Sequence, residues 1–311
     1  MVNLFQSHSR SFEHNRHVYP VVSRRARGMS IGVDLCPGRC TFRCVYCSEF
    51  GALTSPPAEL PTDAERVSQC AGRGTDKGID LELLRHELTA MLAAILGGEI
   101  FLHPPFDETP DAYRRLNDIA LSGSGEPTLS PAFEAACALI GELGQAVRGQ
   151  APGQWPHPKL VLITNATALC LPSVWRGLDA LSASGAMEAE IWAKLDAGTT
   201  THYAAMNRAR VPFDRVLQNL LAAGQRHRIV IQSLFGELDG RPPSTDEIDA
   251  WLERLEALRQ GGADIAGVQV YTVARKTAEP TIRALPDEAL MAIAERVRTR
   301  GFAADWFGCG R

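Results

Sequence analysis

Apolar positions fall into short runs separated by longer amphipathic stretches. Residues 30–34 alternate as a half-buried strand does, and the runs at 116–121, 159–164, 188–195, 228–234 and 267–273 read as further strands. Between them the pattern changes to helical spacing at 131–147, 172–181, 200–206, 212–223, 244–259 and 286–299. An earlier helix is the clearest of all: LELLRHELTAMLAAIL over 81–96, preceded by Asp80 as an N-cap and stopped by Gly97 and Gly98. Strands separated by helices of this length imply parallel pairing through right-handed crossovers. About six such units predict an α/β fold of the partial (βα)6-type TIM barrel, with a doubly wound sheet as the alternative. No composition break divides the chain, so a single domain over 1–311 is expected. In parallel barrels the chemistry collects at the C-terminal ends of the strands, and those ends deserve the closest reading.

Two stretches have no period. Residues 52–80 are rich in Pro, Gly and polar side chains and predict a surface excursion or lid, and 103–107 forms a second Pro-rich loop. Just before the first of these lies Cys36-Pro-Gly-Arg-Cys40-Thr-Phe-Arg-Cys44-Val-Tyr46-Cys47. Cys40, Cys44 and Cys47 stand in the spacing C-x3-C-x2-C. Three thiolates on one short loop can wrap one face of a cubane iron–sulfur cluster and leave one iron without a protein ligand. Counting Cys36, a zinc tetrathiolate is arithmetically open, as is a disulfide. Structural zinc usually draws its ligands as pairs from separated turns, whereas these four crowd into one loop.

Composition narrows the setting. The chain is 45% hydrophobic and 22% charged, the balance of a water-soluble globular protein, and no apolar run reaches the ~20 residues that cross a bilayer. The N-terminal residues lack an apolar signal core, and Cys70, Cys137, Cys170 and Cys309 are scattered, which points to a reducing, cytoplasmic compartment and no membrane. A net charge of −4 is not that of a general nucleic-acid binder. Within the N-terminal 1–30, however, His8, Arg10, His14, Arg16, His17, Arg24, Arg25 and Arg27 face a lone Glu13. This basic arm reads as a solvated segment, as an anion-binding rim, or as a brace for the cysteine loop through carboxylates such as Asp34.

The strand ends carry the remaining polar candidates. The turn Ser122-Gly123-Ser124-Gly125-Glu126-Pro127 lets a ligand approach the backbone, and Glu126 suits an ammonium group. Asn165 ends the 159–164 strand, and Asp196 follows Lys194 at the end of 188–195. Lys194 is one of four lysines in an arginine-rich chain and stands in an apolar strand, where an ammonium must be paired or deprotonated. Pairing with a carboxylate is preferred over a Schiff-base role. Gln232, Tyr271 and Arg275 are read as lining the rest of the cavity, with Lys194, Tyr271 and Arg275 as candidates for catalysis.

C-x3-C-x2-C with an aromatic residue, Tyr46, before the third cysteine resembles the signature of the radical S-adenosylmethionine (SAM) superfamily. Ser124-Gly125-Glu126-Pro127 is similar to that family's Gly-Gly-Glu-Pro motif, with serine at its first position. The segment PVVSRRARGMSIGVD at 20–34, the turn at 122–128 and AKLDAG at 193–198 look like the wyosine-synthase-like group, the tRNA wyosine-type Fe–S oxidoreductases. The resemblance implies a barrel of the radical SAM kind. It also implies a [4Fe-4S] cluster on Cys40, Cys44 and Cys47 whose open iron is chelated by SAM. Tyr46, Ser124, Gly125, Glu126, Asn165, Lys194, Asp196 and Gln232 would then contact the cofactor, Glu126 through the methionine amino group. The implied activity is reductive cleavage of SAM to a 5′-deoxyadenosyl radical that takes hydrogen from a substrate, with a flavodoxin- or ferredoxin-like protein as electron donor. The tRNA-modifying members also carry N-terminal cysteines for a second cluster. No cysteine precedes Cys36 here, so the resemblance supports the family chemistry and not wyosine synthesis itself; the substrate, a small molecule or tRNA, stays open. The contrasting expectation is a zinc-ribbon-like module that binds RNA through its basic arm.

Overall fold

The computed structural model describes residues 12–48, 79–150, 158–185, 187–277 and 279–309. The 52–80 excursion, save its last two residues, lies outside the described residues, as do His8, Arg10 and Cys70. The described chain forms two compact units.

The first unit contains β1 (Val18–Ser23), β2 (Gly28–Val33), α1 (Leu81–Leu96), β3 (Leu116–Leu121), α2 (Phe133–Gln150), most of β4 (Lys159–Thr164) and α3 (Pro172–Ser184). Its strands run in the order β1-β2-β3-β4. The β1–β2 pair is antiparallel, and β2–β3 and β3–β4 are parallel. α1 matches its sequence signals: the Asp80 carboxylate accepts from the N–H groups of Glu82 and Leu83, each at 3.1 Å, satisfying donors that a helix start leaves open. Its buried stripe is Leu84, Glu87, Leu88, Met91, Leu92 and Ile95. Glu87, the charged member, accepts from the backbone N–H groups of Arg16, His17 and Val18 at 2.7, 2.9 and 3.1 Å, which is what makes its burial tolerable.

This changes the reading of the basic arm. Residues 18–23 are a buried strand rather than a solvated segment, and Arg24, Arg25 and Arg27 sit on the tight turn joining β1 to β2, where Arg27 adopts a positive φ of 58°. Asp34 does not receive those arginines. Its carboxylate accepts from the Cys36 N–H (3.2 Å), the Ser124 N–H (2.9 Å) and the Ser124 hydroxyl (2.7 Å), so the expected arginine brace through Asp34 is replaced by a link to the glycine turn. Gly123 makes that link possible, because a Cβ there would lie 2.3 Å from the Asp34 carboxyl carbon.

The second unit contains β5 (Ala189–Lys194, all but its first residue), α4 (Thr200–Asn207), α5 (Phe213–Arg226), β6 (Ile229–Leu234), β7 (Gly236–Leu238), α6 (Thr245–Gln260), β8 (Ile265–Tyr271), β9 (Ile282–Ala284), α7 (Asp287–Thr299) and β10 (Ala304–Phe307). It also includes the cysteine loop from Gly38 onward and residues 163–170. Strands β5, β6, β8 and β10 pair in that order, all parallel, while β7 and β9 form a separate antiparallel pair. The expected alternation of parallel strands and helices is thus present, and the molecule is α/β. β8 begins two residues earlier than the pattern suggested, and β1, β7, β9 and β10 carried no reading of their own. α6 is N-capped by Ser244, whose Oγ accepts from the Glu247 N–H at 3.1 Å. Glu247 in turn accepts from the Gly198 N–H and the Thr199 hydroxyl, both at 2.6 Å. Gly198 packs so tightly under α6 that a Cβ would come within 2.1 Å of the Trp251 backbone nitrogen, and only glycine fits. Among the described residues, no helix is long and apolar enough to cross a membrane.

Candidate functional site

The second unit gathers most of the sequence candidates around the cysteine loop. Two backbone bonds dock the loop onto the C-terminal end of α4: the Arg43 N–H donates to the Asn207 carbonyl and the Val45 N–H to the Met206 carbonyl, both at 2.9 Å. The last carbonyls of a helix have no partner within it, so the loop supplies what the helix lacks. Val45 also packs with Met206, Leu234 and Ile282 in one apolar cluster, against which Tyr46 and Tyr271 rest.

The cysteine sulfurs receive N–H donors. Cys40 Sγ accepts from the Phe42 N–H and from Asn165 Nδ2, both at 3.4 Å, and Cys44 Sγ accepts from Asn207 Nδ2 at 3.5 Å. Asn165 is held in turn. Its Nδ2 donates to Thr41 Oγ1 at 2.9 Å, and its Oδ1 accepts from the Thr167 N–H and hydroxyl at 3.0 and 2.7 Å. Asn219 of α5 then donates to the carbonyls of Ala166 and Thr167, a segment in which Ala166 holds a φ of 65°. A polar chain thus runs from α5 through the end of β4 to Cys40.

A second group surrounds Asp196, which is buried. Its Oδ1 accepts from the Leu234 N–H at 2.9 Å, and its Oδ2 accepts from Asn207 Nδ2 at 2.9 Å and from the Tyr46 hydroxyl. Lys194 Nζ donates to the hydroxyls of Tyr46 (3.2 Å) and Tyr271 (2.9 Å) and lies 4.8 and 5.7 Å from the centres of their rings. Among protein groups Lys194 meets two phenols, with the Asp196 carboxylate one hydrogen bond away through Tyr46. Burial works to lower the Lys194 pKa, but the Tyr271 oxygen, Asp196 and Cys44 outweigh it, and the pKa is raised. Set between two phenol oxygens and near Asp196, the lysine is placed to favour its ammonium form over the neutral amine that a Schiff base needs. Burial, helped by Asp196 and Cys44, raises the Tyr46 phenol well above its usual range, so Tyr46 stays a donor to Asp196. Burial also pushes the Cys44 thiol up to about 11, although Lys194 opposes it.

Gln232 is fully buried beside Lys194 in the β5–β6 register; its Nε2 donates to Gln269 Oε1 at 2.8 Å. Arg275 lies beyond β8 and is not among the partners of Lys194. In the first unit, Glu126 is buried, and its Oε1 accepts from the Thr128 N–H (3.3 Å) and hydroxyl (2.6 Å), capping the short turn that follows. No disulfide links the described cysteines to one another; Cys36 belongs to the first unit. Among the described residues, no three Cys, His, Asp or Glu side chains are gathered as a ready-made metal site. Asn207, Thr41, Thr167, Asn219 and Gln269 had escaped notice. Asn207 could have been suspected as a polar residue closing a helix; the others carry no sequence signal.

No family model matches the chain, and no curated protein is similar to it. Among solved structures, the Streptococcus suis protein SuiB bound to S-adenosylmethionine superposes with a TM-score of 0.49 at 12% identity over 91% of this chain. This chain spans half of the length of SuiB.

Proposed function

We propose that this chain is a radical SAM enzyme whose cluster is held by Cys40, Cys44 and Cys47. The observation that carries the reading is the loop itself: three thiols at the motif spacing, pinned by backbone bonds to α4, with N–H donors aimed at two of the sulfurs. The donor set fits a [4Fe-4S] group. Thiolates on iron are stabilised by N–H···S bonds, and Cys40 and Cys44 each receive N–H donors here. When bound, such a group supplies the electron that cleaves SAM to methionine and a 5′-deoxyadenosyl radical.

The chain's own residues then bind and orient. Asn165 and Asn207 hold the loop and donate to its sulfurs, while Asp196 offers a fixed carboxylate to a polar group of SAM. Lys194 supplies a permanent positive charge between Tyr46 and Tyr271, suited to a carboxylate. Buried apolar side chains around Val45 and Leu234 exclude water. For Ser124, Gly125 and Glu126 the reading rests on the motif alone. A flavodoxin- or ferredoxin-like protein is the proposed electron donor, the reducing cytoplasm the setting, and a small molecule or tRNA the substrate. The test is anaerobic reconstitution with iron and sulfide, then dithionite and SAM. Brown protein with stoichiometric iron and release of 5′-deoxyadenosine is expected; zinc retention with intact SAM would refute the assignment.

A further inference from the structure

Strands β5, β6, β8 and β10 are in register so that Lys194 stands opposite Gln232, Gln232 opposite Gln269, and Gln269 opposite Asp305. Registered residues of parallel strands share a face, here the one opposite α6, whose Trp251 bonds to Ser233. Two residues on, Leu234, Tyr271 and Phe307 form the next row of that face, and the rings of Tyr271 and Phe307 are only half-buried. The face thus presents a polar row beside an aromatic one.

The two glutamines are the odd members. Gln232 is completely buried, and while its Nε2 is bonded to Gln269, its Oε1 is buried with no partner. An orphaned acceptor costs stability that an apolar side chain of the same size would not, so the pair is not explained by stability. Its geometric effect is to hold the half-buried Gln269 carboxamide in one orientation. Reversing both amides keeps one donor and one acceptor available at this rung, so the property does not depend on which way each is drawn.

We infer that Gln269, oriented by Gln232, recognises a planar amide or lactam edge of a ligand lying against Tyr271 and Phe307. A carboxamide matches a group that carries a donor and an acceptor side by side, and half-buried rings offer it a stacking wall. The rung is level with Lys194, two residues and so about 7 Å down the strands from Asp196, which bonds to Tyr46 of the cysteine loop. Calling this ligand the substrate rests on the radical SAM reading; its binding does not. Gln269 is the contacting residue and Gln232 a positioning residue.

The probes are 2-pyridone, N-methyl-2-pyridone (ring kept, donor removed) and acetamide (edge kept, ring removed), titrated into full-length protein by ligand-observed NMR, metal-free and reconstituted. Wild type should bind 2-pyridone in both forms, about tenfold more tightly than either control. Gln269→Leu should abolish the preference over N-methyl-2-pyridone, whereas Gln269→Glu keeps an acceptor for the ring N–H but loses the donor to the ring carbonyl, and should weaken both pyridones while retaining the preference. Gln232→Met should weaken that preference without lowering the melting temperature, because it removes the orphaned acceptor. No 2-pyridone binding, equal binding of the N-methyl control, or an unchanged preference in folded Gln269→Leu overturns the inference. Acetamide binding as tightly as 2-pyridone overturns the stacking wall, and a lower melting temperature in Gln232→Met overturns the positioning argument. Pyridone binding by a protein that never takes up iron would leave this inference standing and remove the proposed function; SAM cleavage without pyridone binding does the reverse.

Discussion

The contact between Gly123 and Asp34 can be measured as a coupling energy. Asp34 is buried and accepts three hydrogen bonds, two of them from Ser124. Bonds to a charged acceptor are worth about 1.5–3 kcal/mol each but are not additive, so Asp34→Ala should cost about 3 kcal/mol. Gly123→Ala places a methyl 2.3 Å from the carboxyl carbon and from Oδ1, and 2.7 Å from Oδ2. The turn or the carboxylate must move, at a cost of about 1–3 kcal/mol for overpacking plus the strained bonds to Ser124. The three nearest atoms all belong to the part of Asp34 that alanine lacks. In an Asp34→Ala background the same methyl should therefore cost almost nothing, giving a coupling of about 2 kcal/mol between the two sites. Urea titrations of the four proteins, followed by circular dichroism, provide the cycle. Additivity to within about 0.5 kcal/mol would show that Gly123 is not selected by Asp34, and the argument would fail.

Iron uptake on reconstitution should be lost in Cys40→Ala, Cys44→Ala or Cys47→Ala and kept in Cys36→Ala; equal loss in Cys36→Ala would disprove the ligand set. Asn207→Leu removes the donor to Cys44 Sγ and one donor to Asp196, and should shift the cluster's one-electron potential negative by about 40 mV, the equivalent of about 1 kcal/mol; an unchanged potential in spectroelectrochemistry counts against it. Glu126→Ala and Asp196→Asn should each weaken SAM about tenfold by calorimetry while iron is retained, and unchanged affinity in both returns these residues to a structural role. The Lys194 pKa is raised, so its charged form contributes stability throughout the range below an ordinary lysine pKa, and that stability fades only as pH climbs past the raised value. Borohydride trapping with a small aldehyde at pH 8 should therefore label exposed lysines such as Lys276 and spare Lys194; a reduced adduct on Lys194 would refute its fixed charge.

Periodicity located the strands and helices that have strong patterns and missed those that do not. β10 is four residues with an exposed Asp305 and offers no apolar run, and β1 was masked by its charged neighbours Arg16, Arg24 and Arg25. The cysteine loop, Asp196 and Lys194 were legible because each places a distinctive chemical type at a strand end. Their connections were not. That Asn207 joins Cys44 to Asp196 follows from the course of α4, which returns a residue far along the chain to the loop. That the protein groups around Lys194 are the phenols of Tyr46 and Tyr271 was not legible, because these aromatic side chains come from two separate segments. Glu126 was read as a carboxylate suited to an ammonium group; that Thr128, two residues away, occupies one of its oxygens was not legible.

The docking of the cysteine loop on α4 bears on how the protein is made. Cys44 and its holder Asn207 are 163 residues apart. At about 5–20 residues per second of synthesis, the loop waits roughly 8–30 s before the carbonyls of Met206 and Asn207 that receive its N–H groups exist. During that interval the thiols lack the backbone anchors and the Asn207 donor, and for most of it the Asn165 donor as well. If the loop holds a metal group as proposed, its loading belongs after Asn207 has been made, and the interval before that is when a competing thiophilic ion would have its opportunity.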